Sequence, residues 1–241
     1  TLKAPPRRIV SMAPSLTEML FAVGAGREVV GVTSFCDYPP EAKSREKGGG
    51  FSNPSLEKVV ALKPDLVLVA RYNPMEVVEG LRRLGVNVFA LSPSTVDEVL
   101  EAVGTVGRLT RHRADSDSLT ARLRARIAQV VGRVREVERR PRVLWGKLEA
   151  PTYTAGPGSF IGDLIAMAGG ANVASDAGVA WPEFGIEAIM AKDPEVIVTS
   201  SGDAGQIPAL VEAARRAVGW REVTAVKRGA VCYVNLDLIG R

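Results

Sequence analysis

The sequence predicts an α/β protein with two Rossmann-like lobes, each built on a parallel sheet, joined by one long rigid helix and with a ligand cleft between the lobes. Three observations predict this. Short β-branched runs alternate with helical periods, one long stretch without proline repeats its apolar residues at helical spacing, and a helix–turn–strand segment occurs twice. The chain has 241 residues, 46% of them hydrophobic, which is enough for one large domain or two modest ones.

The first lobe is predicted to span residues 1–108. Its strands are short apolar runs, and the run from Leu66 to Val69 has four apolar residues in a row, as in a sheet that is buried on both faces. The predicted strands cover residues 8–11, 29–34, 65–70 and 86–91, and the predicted helices cover residues 15–23, 56–62, 74–84 and 95–105. A strand followed by a helix four times over indicates a parallel sheet.

A connecting helix is predicted for residues 109–140, followed by a second lobe at residues 141–241. The helix is indicated by apolar residues at steps of three and four, namely Leu119, Leu123, Ile127, Val130, Val131, Val134 and Val137. Pro141 is expected to end it. In the second lobe, strands are predicted at residues 143–148, 196–200 and 231–235, and helices at residues 159–167 and 207–217.

The repeated segment is the strongest internal signal. Residues 56–69 (LEKVVALKPDLVLV) recur as residues 186–199 (IEAIMAKDPEVIVT), and both read as a short helix, a turn with Pro and an acidic residue, and a strand. Glu57 and Glu187 are matching members, each in the first turn of its helix, where a carboxylate favours the helix dipole. Because the same placement in both lobes goes beyond that local role, we interpret the two glutamates as docking points.

The composition excludes several classes of function. A formal charge of +4 reflects 31 basic against 27 acidic residues, and acidic residues are mixed into the Arg-rich stretch from Arg108 to Arg142, so nucleic acid is not indicated. Cys36 and Cys232 are too far apart in the sequence to suggest a metal site, although a single long-range disulfide is conceivable. His112 stands in a charged stretch and is expected to be exposed, which disfavours hydrolases that need an imidazole.

Membrane insertion and nucleotide binding are not indicated either. No apolar run reaches the roughly 20 residues of a membrane-spanning helix, and the polar start is typical of a mature exported chain. The glycine-rich residues 156–162 lack the spacing of a dinucleotide loop. Two interpretations of that segment stay open: its backbone N–H groups near Ser159 face a ligand, or Ser159 caps a helix.

Aromatic residues follow the predicted strands although they are only 5% of the chain. In open α/β sheets, the loops at the carboxyl ends of the strands form the binding crevice. These aromatic residues are Phe35, Tyr38, Phe51, Tyr72, Tyr153 and Trp181. Their position predicts a cleft for a large, flat, partly apolar ligand, because aromatic rings stack on such surfaces.

With these residues identified, the chain resembles the substrate-binding proteins of ABC importers for cobalamin, haem and iron-siderophores, and within that family it looks most similar to those for cobalamin. The resemblance runs over essentially the whole chain. It is carried by residues 8–18 (RIVSMAPSLTE), 37–40 (DYPP), 56–67, Trp181-Pro182, and 231–237.

The resemblance implies a non-enzymatic, extracytoplasmic protein, periplasmic or extracellular, that acts as a monomer and delivers a corrinoid to an ABC permease. A lipid anchor ahead of Thr1 is left open. The positions that match the family's ligand-binding residues are Pro14, Phe35, Phe51, Tyr153, Trp181 and Asp237, with Tyr38, Tyr72 and Ser159 as additional cleft candidates. Glu57 and Glu187 match the family's paired surface glutamates, which meet arginines of the permease. The corrinoid is the transported ligand, and neither a resident cofactor nor a metal is expected.

Two alternatives stay open at this point. The first is a haem or ferric-siderophore binder of the same class, in which Tyr72 or Tyr153 supplies a phenolate to iron. The second, more distant, is a cofactor-dependent enzyme built on similar lobes.

Overall fold

The structure, a computed structural model, describes residues 4–240. By its internal contacts the chain divides into two units, residues 1–93 with 97–124 and residues 94–96 with 125–241. Each unit has a parallel sheet packed against helices, so the predicted α/β class is confirmed. No helix within residues 4–240 has both the length and the apolar character needed to cross a bilayer.

The first unit contains a five-stranded sheet. Its elements are β1 (Ile9–Ser11), α1 (Pro14–Ala22), β2 (Val29–Val32), β3 (Glu46–Lys47), α2 (Leu56–Ala61), β4 (Leu66–Val69), α3 (Met75–Arg83), β5 (Val88–Ala90) and α4 (Val96–Thr110). The strand order is β3-β2-β1-β4-β5, and each neighbouring pair is parallel. All five strands therefore end at the same edge of the sheet.

Alternation along the strands gives this unit two cores, one on each face of the sheet. Ile9 and Leu68 pack with α1 and α4, whereas Val10 and Val67 pack with α2 and α3. All four side chains are at most 1% exposed. The unbroken apolar strands of the sequence are thus explained by burial on both sides.

The long helix is shorter than predicted. It is α5 (Arg113–Val134), with 22 residues, so the predicted bounds of 109 and 140 are wrong at both ends. Residues 109 and 110 belong to α4, which ends before Arg111, a residue in the left-handed conformation with φ of 62°. At the other end, residues 135–140 are all exposed, so they find no core that would stabilise further helical turns. By contacts, the first half of α5 belongs to the first unit and the second half to the second.

His112 lies in the short break between α4 and α5. Its side chain is only 26% exposed, with Nε2 3.4 Å from Glu28 Oε1 and Nδ1 3.5 Å from Asp115 Oδ2. The expectation of an exposed histidine is therefore wrong. The reason is that the left-handed Arg111 interrupts the helix just before His112, and the ring lies against the two carboxylates.

The second unit contains a four-stranded parallel sheet in the order β11-β10-β6-β8 and a separate two-stranded ribbon of β7 and β9. Its elements are β6 (Arg142–Trp145), β7 (Thr152–Tyr153), α6 (Phe160–Met167), β8 (Ala171–Asn172), β9 (Glu183–Phe184), α7 (Ile186–Lys192), β10 (Val196–Thr199), α8 (Ile207–Arg216), α9 (Thr224–Arg228), β11 (Val231–Tyr233) and α10 (Leu236–Ile239). Leu144 and Ile197 are fully buried against α7, α8 and α9.

The repeated segment has the same structure in both units. It forms α2 followed by β4 in the first and α7 followed by β10 in the second. Both copies contain a proline, and the residue before it has a left-handed backbone conformation in each, Lys63 with φ of 47° and Asp193 with φ of 41°. The predicted helix–turn–strand reading of the repeat is thereby confirmed.

Candidate functional site

Most of the predicted ligand-binding residues of the first unit follow the carboxyl ends of its strands. Pro14 comes after β1, Phe35 after β2, Phe51 after β3 and Tyr72 after β4. Because all strands of this sheet are parallel, these loops leave the same side of the sheet, which we call the first edge.

Phe35 and Phe51 contact each other on the first edge. Their ring centroids are 5.7 Å apart with an angle of 69° between the planes, an edge-to-face pair. Phe35 is nevertheless 58% exposed, and Phe51 is half-buried. The pair therefore presents apolar ring surface to solvent at the carboxyl end of the sheet.

A buried amide holds the loops of the first edge together. Asn73 is 8% exposed, and its Nδ2 donates to the backbone oxygens of Met12, at 2.9 Å, and Phe51, at 2.7 Å. Its Oδ1 accepts from the backbone N–H of Ala70 at 2.7 Å. One side chain thus connects the loops after β1, β3 and β4, and it fixes the backbone that carries Phe51.

Buried hydroxyl groups contact the thiol of Cys36, the residue that follows Phe35. Thr17 Oγ1 is 2.8 Å from Ser11 Oγ and 3.1 Å from Cys36 Sγ, and Thr33 Oγ1 is also 3.1 Å from Cys36 Sγ. These groups join the ends of β1 and β2 to α1. Because Cys36 is free and buried, its thiol acts here as a small internal hydrogen-bonding group next to the exposed Phe35.

Tyr38 lies in a different pocket from the other aromatic candidates. It is 59% exposed and lines an open cavity of about 520 Å³ together with Glu18 and Phe21 of α1, and with Arg45. Arg45 Nη2 donates to Gly26 O at 2.9 Å, and its guanidinium carbon is 5.9 Å from the centroid of the Phe21 ring.

The aromatic candidates of the second unit lie on the ribbon of β7 and β9. Tyr153, in β7, is 65% exposed, and Trp181, just before β9, is 47% exposed. The two segments are joined by backbone hydrogen bonds from Thr154 N to Pro182 O at 2.9 Å and from Gly156 N to Ala180 O at 2.8 Å. The ribbon follows the carboxyl end of β6, and we call this side of the second sheet the second edge.

Ser159 occupies the cap position of α6 and is 2% exposed. Its Oγ donates to Gly156 O at 2.7 Å and accepts from Gly162 N at 3.1 Å. Of the two interpretations left open by the sequence, the structure therefore supports the capping role.

Asp237 follows the carboxyl end of β11, in the first turn of α10. Asn235 caps this short helix and accepts the backbone N–H of Asp237 at 2.8 Å. The carboxylate of Asp237 is exposed. It therefore belongs to the second edge, like Tyr153.

Glu57 and Glu187 occupy the second position of α2 and α7 and are both exposed. The cap of α2 is Ser55, whose hydroxyl accepts from Lys58 N at 3.2 Å. Gly185 at the start of α7 provides no side-chain cap. The two carboxylates are thus presented in the same way by equivalent helices of the two units.

Within residues 4–240, no group of three or more His, Cys, Asp or Glu side chains is arranged to hold a metal ion. Cys36 is buried, Cys232 is exposed, and both are free, so the disulfide that the sequence allowed is not formed.

Sequence reasoning missed Asn73 and the β7–β9 ribbon. Asn73 follows an apolar strand by four residues, a position that is typical of an ordinary turn residue. The two ribbon strands have only two residues each, too few for any alternation of polar and apolar side chains to appear.

Two α/β units with exposed rings after the carboxyl ends of parallel strands define a binding protein of the two-lobed class. The chain belongs to the periplasmic binding protein family, whose model matches residues 9–237. It is 37% identical over its whole length to a cobalamin-binding protein of Halobacterium salinarum, and it spans 66% of that relative's length.

Solved structures agree with this assignment. The periplasmic vitamin B12 binding protein BtuF of Vibrio cholerae superposes with a TM-score of 0.83 at 27% identity, covering 98% of this chain and 91% of that one. The periplasmic heme-binding protein RhuT of Roseiflexus sp. RS-1 superposes with a TM-score of 0.82 at 27% identity, covering 97% and 91%.

Proposed function

We propose that this protein captures a corrinoid outside the cytoplasm and delivers it to an ABC permease. The observation that carries the proposal is the exposure of Phe35, Tyr153 and Trp181, at 58, 65 and 47%, on the loops after the parallel strands of both units. Exposed rings held on rigid loops offer stacking surface to a flat ligand at little cost in conformational entropy. The relatives named for cobalamin or vitamin B12 favour a corrin as that ligand.

In this proposal, Phe35 and Phe51 contact the ring system from the first edge, with Pro14 beside them, and Tyr153 and Trp181 contact it from the second. Asp237 accepts a hydrogen bond from an amide of the ligand. We expect nanomolar affinity from burial against several rings with few polar contacts, and this corresponds to about 12 kcal/mol of binding free energy.

Calorimetric titration with cyanocobalamin tests the proposal. We expect binding in the nanomolar range for the parent protein and a loss of about 30-fold for Trp181→Ala, because a central aromatic contact contributes about 2 kcal/mol. Val218→Ala is the matched control, since Val218 is 84% exposed and lies outside both edges. A parent protein that does not bind cyanocobalamin contradicts the proposal.

Haem is the second candidate, favoured by two exposed phenols. Tyr72 is 69% and Tyr153 65% exposed, and either can provide a phenolate to iron; RhuT, at 27% identity, is named for haem. A Soret band on mixing with haemin that is lost in Tyr72→Phe or Tyr153→Phe would assign haem as the ligand. The same titration against cyanocobalamin decides which ligand binds more tightly.

Glu57 and Glu187 are proposed to dock onto the permease. They are exposed, they occupy equivalent positions, and their helices are fixed in each unit by the same repeat. In cells that express the cognate permease, Glu57→Lys with Glu187→Lys should abolish uptake and leave ligand affinity unchanged. The matched control is Glu101→Lys with Glu138→Lys, two exposed carboxylates elsewhere on the chain. Normal uptake by the docking variant contradicts this role.

A further inference from the structure

An open pocket of about 350 Å³ lies on the second edge beside Tyr153. Trp145 at the end of β6 and Thr199 at the end of β10 form part of its wall. Ser200 and Ser201 add hydroxyl groups. The pocket is therefore placed where the carboxyl ends of two neighbouring parallel strands meet, next to one of the exposed rings.

Three charged side chains line this pocket: Lys147, Glu149 and Glu183. Lys147 Nζ is 3.0 Å from Glu149 Oε1, so these two charges compensate each other. Glu183 makes no ion pair within residues 4–240. The pocket thus carries one uncompensated negative charge although the chain as a whole carries a formal charge of +4.

This combination of groups suits neutral amides. A primary amide donates its N–H groups to carboxylates, and its oxygen accepts from an ammonium or a hydroxyl, all of which are present here. A ligand carboxylate has no N–H to donate, and it adds a like charge next to Glu183. When the bound ligand excludes water from the pocket, this repulsion is screened less than it is at the open surface.

We propose that the pocket formed with Lys147, Glu149 and Glu183 is a selectivity subsite that accepts amide side chains of the ligand and disfavours carboxylates. The inference rests on the proposed function and adds to it the chemical basis by which an amide-bearing corrin is preferred over ligands with ionised carboxylates. The charge of the pocket, rather than the rings, makes this distinction, because rings stack on either kind of ligand.

Two corrinoids with the same ring separate charge from stacking. Dicyanocobinamide carries amides around the corrin, and dicyanocobyrinic acid carries carboxylates. We expect the parent protein to bind the amide form at least about tenfold more tightly. The ratio of the affinity for the amide form to that for the acid form should decrease about three- to tenfold in Glu149→Gln with Glu183→Gln, because binding of the acid is strengthened. In Lys147→Met this ratio should increase about threefold.

The matched control is Glu101→Gln with Glu138→Gln, which changes the net charge of the chain equally but lies outside the pocket. Its ratio should equal that of the parent. Raising the salt concentration should strengthen acid binding to the parent and change that of the Gln variant less, because screening weakens the repulsion. Circular dichroism and thermal melting verify that the variants, all at exposed side chains, are folded.

The outcomes distinguish this inference from the proposed function. In one outcome, the parent protein binds cobinamide while the ratio of the affinities for the amide and acid corrinoids is unchanged in both pocket variants. That result overturns the subsite alone. Equal shifts in the pocket variant and the control also overturn it, since net charge then explains the effect. A parent that binds neither corrinoid overturns the proposed function, and the subsite with it.

Discussion

Asn73 in the first unit and Asn172 in the second both hold loops at the binding edge through a side-chain amide, but they join different numbers of loops. Asn73 is buried and joins three loops through Met12, Phe51 and Ala70. Asn172 is half-buried and donates to Ala155 O, at 2.7 Å, while its oxygen accepts from Ala174 N. At the first edge one internal amide therefore joins the loops after β1, β3 and β4, whereas at the second edge the β7–β9 ribbon holds the loops in addition to Asn172.

The two repeated segments share one set of contacts with an arginine. In each unit an arginine at the start of an inner strand donates Nε to the carbonyls at the end of the repeat helix. Arg8, just before β1, donates to Leu62 and Lys63, and Arg142, the first residue of β6, donates to Lys192 and Asp193. The acidic residue of the repeat accepts from the backbone N–H of the same arginine.

The second copy carries more charge contacts. Asp65 accepts from the backbone N–H groups of Arg7 and Arg8, whereas the nearly buried Glu195 also pairs with the guanidinium groups of Arg139 and Arg142. Both copies thus use hydrogen bonds between charged side chains and the backbone, and the second copy adds ion pairs to them. A shared backbone pattern does not determine which interactions stabilise it.

These contacts change the acidity of the second copy. The backbone N–H of Arg142 lowers the pKa of Glu195, and the charges of Arg139, Arg142 and Arg228 lower it further against the opposing effect of desolvation. For Asp193, burial acts to raise the pKa, but the hydrogen bonds from Thr224 and the charge of Arg142 outweigh it, so that the pKa is lowered.

The largest difference should come from removing the two amides. We expect Asn73→Ala to lower the free energy of unfolding by about 2–4 kcal/mol, because one buried and two half-buried backbone groups lose their partner, and Asn172→Ala by about 1–2 kcal/mol. Urea denaturation measures both. Asn53→Ala, at an exposed amide, is the control and should stay within about 0.5 kcal/mol. Equal losses for Asn73 and Asn172 would show that the ribbon adds no support.

A smaller difference should separate the two arginines. Arg142→Ala removes hydrogen bonds to Lys192 O and Asp193 O together with two ion pairs. Because Arg142 is partly exposed, these ion pairs contribute less than buried ones, and we expect the free energy of unfolding to fall by about 1–2 kcal/mol. Arg8→Ala should cost less than about 1 kcal/mol. The same urea experiment compares them, and a larger loss for Arg8 would contradict the view that ion pairs stabilise mainly the second copy.

The smallest effect should be a change in pH dependence. Because the pKa of Glu195 is lower in the folded protein than its ordinary value of 4.5, folding favours the ionised form, and this contribution is complete above about pH 4.5 and is lost as the pH falls through the folded pKa. The melting temperature of the parent should therefore fall more steeply below about pH 4.5 than that of Glu195→Gln. Glu138→Gln, at an exposed carboxylate, should follow the parent, and identical slopes for all three would refute the assignment.

The sequence by itself determined the α/β class, the internal repeat and the strands after which the exposed aromatic residues lie. Apolar runs and helical periods are local in the chain, and so they can be read without coordinates. The bounds of α5 could not be read in this way, because its apolar spacing continues to Val137 whereas the surface that buries it does not extend beyond Val134.

Only the tertiary structure decided which side chains hold the loops of the binding edges and which charged groups lie there. Asn73 acts on Met12 and Phe51, which are 61 and 22 residues away along the chain, and Glu183 reaches the wall of β6 and β10 only because the ribbon folds back. Contacts between distant residues depend on how the strands are ordered in space. That order is set by packing of the whole unit, and no local pattern in the sequence records it.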